Sequence, residues 1–193
     1  TAGILIIGDE IISGRTQDTN ANFIAKNLTS SGIKLEEIRV IQDDKKIIID
    51  SVKSFSEKYN YVFTTGGIGP THDDITSESI AEAFNKKYET NLEAYKILEK
   101  YYPEGDFNIS RQRMAKMPSD VELIYNPMTA APGFKINNVF VLPGVPKIME
   151  QMLKDEHGIT DPVDYQFYDE NAKPIPKPQG YQDPTATPIR GME

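Results

Sequence analysis

Residues 64–76 read Thr64-Thr65-Gly66-Gly67-Ile68-Gly69-Pro70-Thr71-His72-Asp73-Asp74-Ile75-Thr76. Three glycines in four positions let a backbone approach a ligand closely. A helix starting just beyond them would add unpaired N–H groups and the positive end of a dipole, which together suit a phosphate. Thr65, Gly66, Gly67, Gly69, Thr71 and Thr76 are the residues expected to line it. Two aspartates beside a phosphate make sense only if a divalent cation such as magnesium sits between them, because hard cations share oxygen ligands with substrate phosphates. The competing reading is an ordinary strand–turn–helix connection, since Gly, Pro, Asp and Thr all form turns. Thr76 would then be no more than a helix cap.

Other polar residues fall at similar places. Asp9 and Glu10 follow the apolar run Ile4–Ile7, and Asp43 and Asp44 follow Val40-Ile41-Gln42. Either pair could add carboxylates to a shared cleft; the alternatives are surface charge for the first and a helix cap for the second. Asp18 and Asn20 orient a ligand or cap the next helix. His72 has no second histidine nearby, His157 being far off in sequence, and is read as a turn residue. Arg111 and Arg113 offer positive charge to a phosphate or simply solvate a helix face.

These residues need elements to hold them. Gly3 to Gly8 reads as a strand buried on both faces, as in parallel sheets, and the polar stretch Asp9 to Asp18 as a loop. A helix with Phe23, Ile24 and Leu28 inward stops at Gly32. A strand lies within Ile33 to Gln42, then a helix on Ile48, Val52 and Phe55, then a strand from Tyr59 to Thr65. Beyond the glycine loop, helices are predicted over Ser77 to Tyr88, over Asn91 to Tyr102 (on Leu92, Tyr95, Leu98 and Tyr102) and over Asn108 to Met117. Strands follow at Val121 to Tyr125, Ala131 to Ile136 and Val139 to Leu142, and a helix at Lys147 to Lys154. Alternating strands and helices predict an α/β fold with a mainly parallel sheet and right-handed crossovers. Ligands of such sheets sit beyond the carboxyl ends of the strands, where all three aspartate-bearing loops fall.

Composition narrows the function classes. The 193 residues are 38% hydrophobic and 26% charged, as in a soluble globular protein, and carry a net charge of −8. An acidic chain is a poor partner for nucleic acid or an anionic membrane surface. No apolar run is long enough to span a bilayer. Without cysteine there are no disulfides or thiolate metal sites, and a cytoplasmic location is expected. The last 36 residues hold six of thirteen prolines and six acidic against three basic residues. Residues 158–193 are therefore expected to be an extended or disordered Pro-rich acidic tail on a domain of residues 1–157.

Several separated motifs resemble one family. Gly8-Asp9-Glu10 with Gly14, Asp18-Thr19-Asn20, Asp43-Asp44, the glycine loop through Thr76, Ala131-Pro132-Gly133-Phe134 and Leu142-Pro143-Gly144-Val145-Pro146 are similar to the MoaB/Mog (molybdopterin-binding) family. The version is the one at the N-terminus of the competence/damage-inducible protein CinA, and the match covers roughly residues 3 to 155. The resemblance implies a three-layer α/β/α domain that forms a homo-oligomer. It also implies a small phosphorylated ligand, a pterin such as molybdopterin or a nucleotide, with no nucleic-acid polymer and no membrane as partner. By the same resemblance Asp43 and Asp74 are the catalytic or metal carboxylates, with Asp73 and Asp44 as further metal ligands and Asp9, Glu10 and Asn20 near the ligand.

Three activities follow from it. The first is magnesium-dependent hydrolysis of a nucleotide pyrophosphate, of the ADP-ribose or FAD class. The second is adenylyl transfer to molybdopterin in molybdenum-cofactor synthesis. The third is a binding or assembly module without turnover. Two departures from the family pattern stand out: the chain has no room for a CinA deamidase domain, and Ile148 stands where many relatives have Glu.

Overall fold

The computed structural model describes residues 1–157 and two short paired strands, Phe167–Tyr168 and Pro174–Ile175. The expected tail lies, apart from these strands, outside the described residues.

The chain begins with β1 (Ala2–Ile7), every residue of which is buried, and a helical turn, α1 (Asp9–Ile12). Next come α2 (Asn20–Ser30), β2 (Leu35–Ile41), α3 (Lys45–Lys58) and β3 (Tyr61–Thr65). After the glycine loop follow α4 (Thr76–Ala83), β4 (Tyr88–Thr90), α5 (Leu92–Tyr101), α6 (Ile109–Gln112) and β5 (Lys116–Pro118). The chain then adds β6 (Glu122–Ile124), β7 (Gly133–Ile136), β8 (Val139–Leu142) and α7 (Pro146–His157).

Six strands make one sheet in the order β2-β1-β3-β8-β7-β6. The first four run parallel, while β7 and β6 are antiparallel additions. Because side chains alternate along a strand, the sheet has two apolar faces. Ile4, Ile6, Phe63, Phe140 and Leu142 pack under α2 and α7 through Ile24, Leu28, Met149 and Met152. Leu5, Val62, Val139 and Val141 pack under α3, α4 and α5 through Ile48, Val52, Phe55, Ile80 and Leu98. The result is the expected three-layer α/β/α arrangement. Each fully buried side chain of this size contributes about 1.5–3 kcal/mol.

Edge strand β2 is anchored by charge as well as burial. The Glu37 carboxylate accepts from the Tyr59 hydroxyl at 2.6 Å, Lys58 Nζ at 3.0 Å and Arg39 Nη2 at 2.6 Å. These donors, Tyr59 foremost, pull its pKa down to about 2.

Four sequence expectations are corrected. The polar stretch after β1 opens with a helical turn: Ser13 N–H donates to Asp9 O, and Asp9 and Glu10 favour its start. The helix expected to reach Tyr88 stops at Ala83. There Asn85 turns left-handed at φ 52° and Lys86 N–H closes back on Ala81 O. Tyr88–Thr90 then pairs antiparallel with Lys116–Pro118, so the helix expected over Asn108 to Met117 ends early. Within α5 the inward residues are Ala94 and Leu98, while Leu92 is 73% exposed.

Candidate functional site

The parallel strands finish level. Ile7 lies opposite Ile41, Ile6 opposite Thr65, and Thr65 opposite Leu142. Gly8 to Glu10, Asp43-Asp44, Gly66 to Thr76 and Pro143 to Pro146 therefore open on one edge of the sheet. Strand order also reverses here: the chain leaves β1 for β2 on one side, then crosses back to β3 on the other. Such a switch point leaves a crevice at the strand ends.

The glycine loop is shaped by close approaches. Gly66, at φ 105°, sits where a Cβ would come within 2.1 Å of Ile7 O. Its amide donates to Leu142 O at 3.1 Å, so it supplies the turn and has no N–H left for a ligand. Gly67, at φ 69°, lies over Thr76, and its carbonyl accepts the Thr76 amide at 3.0 Å. A Cβ on Gly69 would meet Asp74 Oδ2 at 2.8 Å. Among the described residues, the amides of Gly67, Ile68 and Gly69 donate to no acceptor in the chain. Three consecutive N–H groups without a partner in the loop that leads to α4 are what a cradle for an anion would need.

Thr76 is the first residue of α4 and is fully buried, yet its hydroxyl has no hydrogen-bond partner. It is not the cap, since Ile75 occupies that position. A buried unpaired hydroxyl costs about 1–3 kcal/mol. Thr65 is buried at the end of β3 and roots the loop in the sheet.

The carboxylates gather around this cradle. Asp74 Oδ2 accepts from the Thr71 amide at 2.8 Å and the Thr71 hydroxyl at 2.6 Å, which fixes its orientation. Asp43 Oδ2 accepts from the Asp9 amide at 2.9 Å. Burial pushes the Asp43 carboxyl above its usual range, and the negative charges of Glu10, Asp9 and Asp74 push the same way against the pull of the Asp9 amide. Asp43 and Asp74 thus share one side of the sheet and sense each other's charge. Among the described residues no lysine or arginine forms an ion pair with Asp9, Glu10, Asp43 or Asp74.

The remaining predicted residues have other partners. Asp44 Oδ1 caps α3 by accepting the Ile47 amide at 3.0 Å. Asp73 pairs with His72 at 3.1 Å, both largely exposed. Asp18 accepts the amides of Asn20 and Ala21 at the start of α2. Asn20 is buried and donates to Gly144 O at 2.9 Å. Arg111 lies over the Tyr102 ring and donates to Asp106 O. Gly8, part of the Gly8-Asp9-Glu10 motif, lies at the end of β1, where a Cβ would meet the Glu10 carboxylate at 2.6 Å.

The implied divalent cation fits the chemistry of these donors: unpaired carboxylates, mutually repelling, beside free amides. Among the described residues no three His, Asp or Glu side chains form a metal cage. Magnesium held by one or two carboxylates and substrate phosphates does not need one. Asp43 and Asp74 are the residues that would hold it.

Comparison with known proteins places these features in context. The family described as "Probable molybdopterin binding domain" matches residues 3–158. A CinA-like protein of Flavobacterium psychrophilum is 37% identical over 163 residues, 80% of this chain and 39% of that protein. A "Probable FAD synthase" of Caenorhabditis elegans is 32% identical over 85% of this chain and 36% of its own length. The chain therefore spans well under half of these two relatives. A crystal structure of a CinA protein of unknown function from Thermoplasma acidophilum superposes with a TM-score of 0.76 at 36% identity, covering 82% of this chain and 97% of that one. No described helix is long and apolar enough to cross a membrane.

Proposed function

The chain belongs to the molybdopterin-binding domain family, in its CinA-like branch, and from that membership we propose that it is a divalent-metal-dependent hydrolase of nucleotide pyrophosphates of the ADP-ribose or FAD class. The observation that carries the reading is that Asp43 and Asp74, 31 positions apart, stand on loops at the same edge of the sheet, where the charge of one acts on the other, with the unpartnered amides of Gly67, Ile68 and Gly69 on the second of these loops.

On this reading the three amides bind the phosphate, and Thr76 supports the loop from beneath, its amide donating to the Gly67 carbonyl. Thr71 keeps Asp74 facing the cradle, and the Asp9 amide keeps Asp43 facing it from the other side. A bound divalent cation would neutralise the anhydride oxygens and draw a water toward phosphorus. Asp43, its carboxyl held above the usual range by burial, would take the proton of the attacking water as a general base.

Incubating the purified chain with ADP-ribose and with FAD, with and without magnesium or cobalt, tests the reading. Metal-dependent release of AMP is the expected result; its absence from both substrates removes hydrolysis.

The FAD synthase relative supports a second reading, nucleotidyl transfer, in which ATP is the substrate and pyrophosphate the product. Release of pyrophosphate from ATP in the presence of a pterin or flavin phosphate would favour it. Ligand affinity equal in the native chain and in Asp74→Asn, with neither turning over, would favour a binding module.

A further inference from the structure

We propose that Asn20 is a positioning residue that holds the Gly66–Gly69 turn in its binding shape by way of Gly144. The proposal rests on the reading of that turn as a phosphate cradle. Asn20 belongs to α2 and Gly144 to the loop after β8, 124 positions later, yet Asn20 Nδ2 donates to Gly144 O at 2.9 Å. Gly144 in turn backs directly onto the glycine loop, since a Cβ on it would lie 3.3 Å from Gly66 Cα. On its other side Gly66 is pressed against Ile7 O, and its amide is tied to Leu142 O, two residues before Gly144. Gly66 is therefore held between β1 and the β8–α7 loop, and Asn20 fixes where that loop stands.

Helix capping does not account for this side chain. Both oxygens of Asp18 already accept the amides of Asn20 and Ala21. Direct ligand contact does not account for it either, because Asn20 is only 3% exposed and its Oδ1 has no exposed surface. That Oδ1 also lacks a hydrogen-bond partner. A residue that only filled space at the start of a helix would avoid this cost by being alanine. The retained benefit is the bond to Gly144.

Hydrogen exchange on the isotope-labelled full chain, followed by NMR, tests the proposal. The reporters are the Gly66 amide, bonded to Leu142 O, and the Thr76 amide, bonded to Gly67 O. Asn20→Ala should accelerate exchange at both by about tenfold, the loss of roughly one hydrogen bond, while amides in the middle of α2 keep their rates. Gly144→Ala keeps the carbonyl that Asn20 bonds but sets a carbon 3.3 Å from Gly66 Cα, so it should disturb the same two amides by crowding the contact between the loops. ADP-ribose affinity should fall about tenfold in each, with magnesium affinity unchanged.

Faster exchange confined to α2, or unchanged exchange at the Gly66 and Thr76 amides in Asn20→Ala, would overturn the proposal. If the native chain binds no ADP-ribose, the functional reading fails while the exchange measurement still decides the role of Asn20. Should Asn20→Ala not fold, Asn20→Ser, which keeps a short polar group without the reach to Gly144, serves in its place.

Discussion

Gly67 rests on Thr76: a Cβ added to the glycine would stand 2.1 Å from the threonine hydroxyl oxygen, and the threonine amide donates to the glycine carbonyl at 3.0 Å. The first residue of α4 is thereby docked beneath the loop that precedes it. Its hydroxyl is enclosed there without a hydrogen-bond partner.

Thr76→Val separates stability from binding. It replaces a buried hydroxyl without a partner by a methyl of the same shape, so the free protein should be unchanged or more stable by about 1 kcal/mol. Affinity for ADP-ribose should be unchanged, because the hydroxyl has no exposed surface through which a ligand could reach it. Chemical denaturation and calorimetric titration of the same preparation check both halves. A destabilised Thr76→Val would show that the hydroxyl has a partner within the chain.

Gly67→Ala should act in the opposite sense, lowering stability and binding together. The position is left-handed, at φ 69°, and the added carbon meets Thr76. A cost of about 1–3 kcal/mol is expected from the backbone conformation and the contact combined. A melting temperature equal to that of the native chain would count against this packing.

Asp43 is an acid whose folded pKa lies above its unfolded value. The folded state therefore holds the proton more tightly, and this group's effect on stability worsens as pH rises through the usual carboxylate range, staying unfavourable above it. Asp43→Asn keeps an acceptor for the Asp9 amide and removes the charge. It should melt higher than the native chain at neutral pH, converge with it below about pH 4, and lose metal-dependent turnover. Added magnesium should raise the native melting temperature at neutral pH and leave Asp43→Asn unmoved.

Glu37 shows the opposite linkage. Its folded pKa of about 2 lies below its ordinary value of 4.5, so its stabilisation is present above pH 4.5 and is lost as pH falls toward 2. Glu37→Gln should cost about 1–2 kcal/mol at pH 7, allowing for screening of a partly exposed group, and almost nothing near pH 2. Turnover should be unaffected, since the cluster ties β2 to α3 away from the strand ends.

Asp44 and Asp43 should part company on substitution. Asp44→Ala removes a helix cap and should cost about 0.5–2 kcal/mol. Asp44→Asn, which caps equally well, should restore both stability and turnover. A lasting loss of turnover in Asp44→Asn would give that carboxylate a part in the chemistry.

Much of the fold was legible along the chain because burial imposes periodicity. β1 is apolar throughout since both faces of the sheet are covered, and Ile48, Val52 and Phe55 recur at helical spacing because α3 has one buried face. The misreadings fall where a short element depends on a distant partner. Nothing local distinguishes Tyr88–Thr90 from the end of a helix; it is a strand because Lys116–Pro118 lies beside it. Leu92 fits an apolar stripe, but it stands at the first turn, where α5 has not yet reached its neighbours, and Ala94 and Leu98 are the residues the helix buries.

The candidate site divides in the same way. Residue types near one another in sequence determined the caps by Asp18 and Asp44 and the hold of Thr71 on Asp74, because each is closed by a contact within four residues. Tertiary structure alone decided that Asp43 and Asp74 share a field, that the Gly66 amide is spent on Leu142, and that Asn20 reaches Gly144. Those relationships depend on which strands lie side by side and where they end, which is fixed by packing across the whole sheet rather than by the residues on either side.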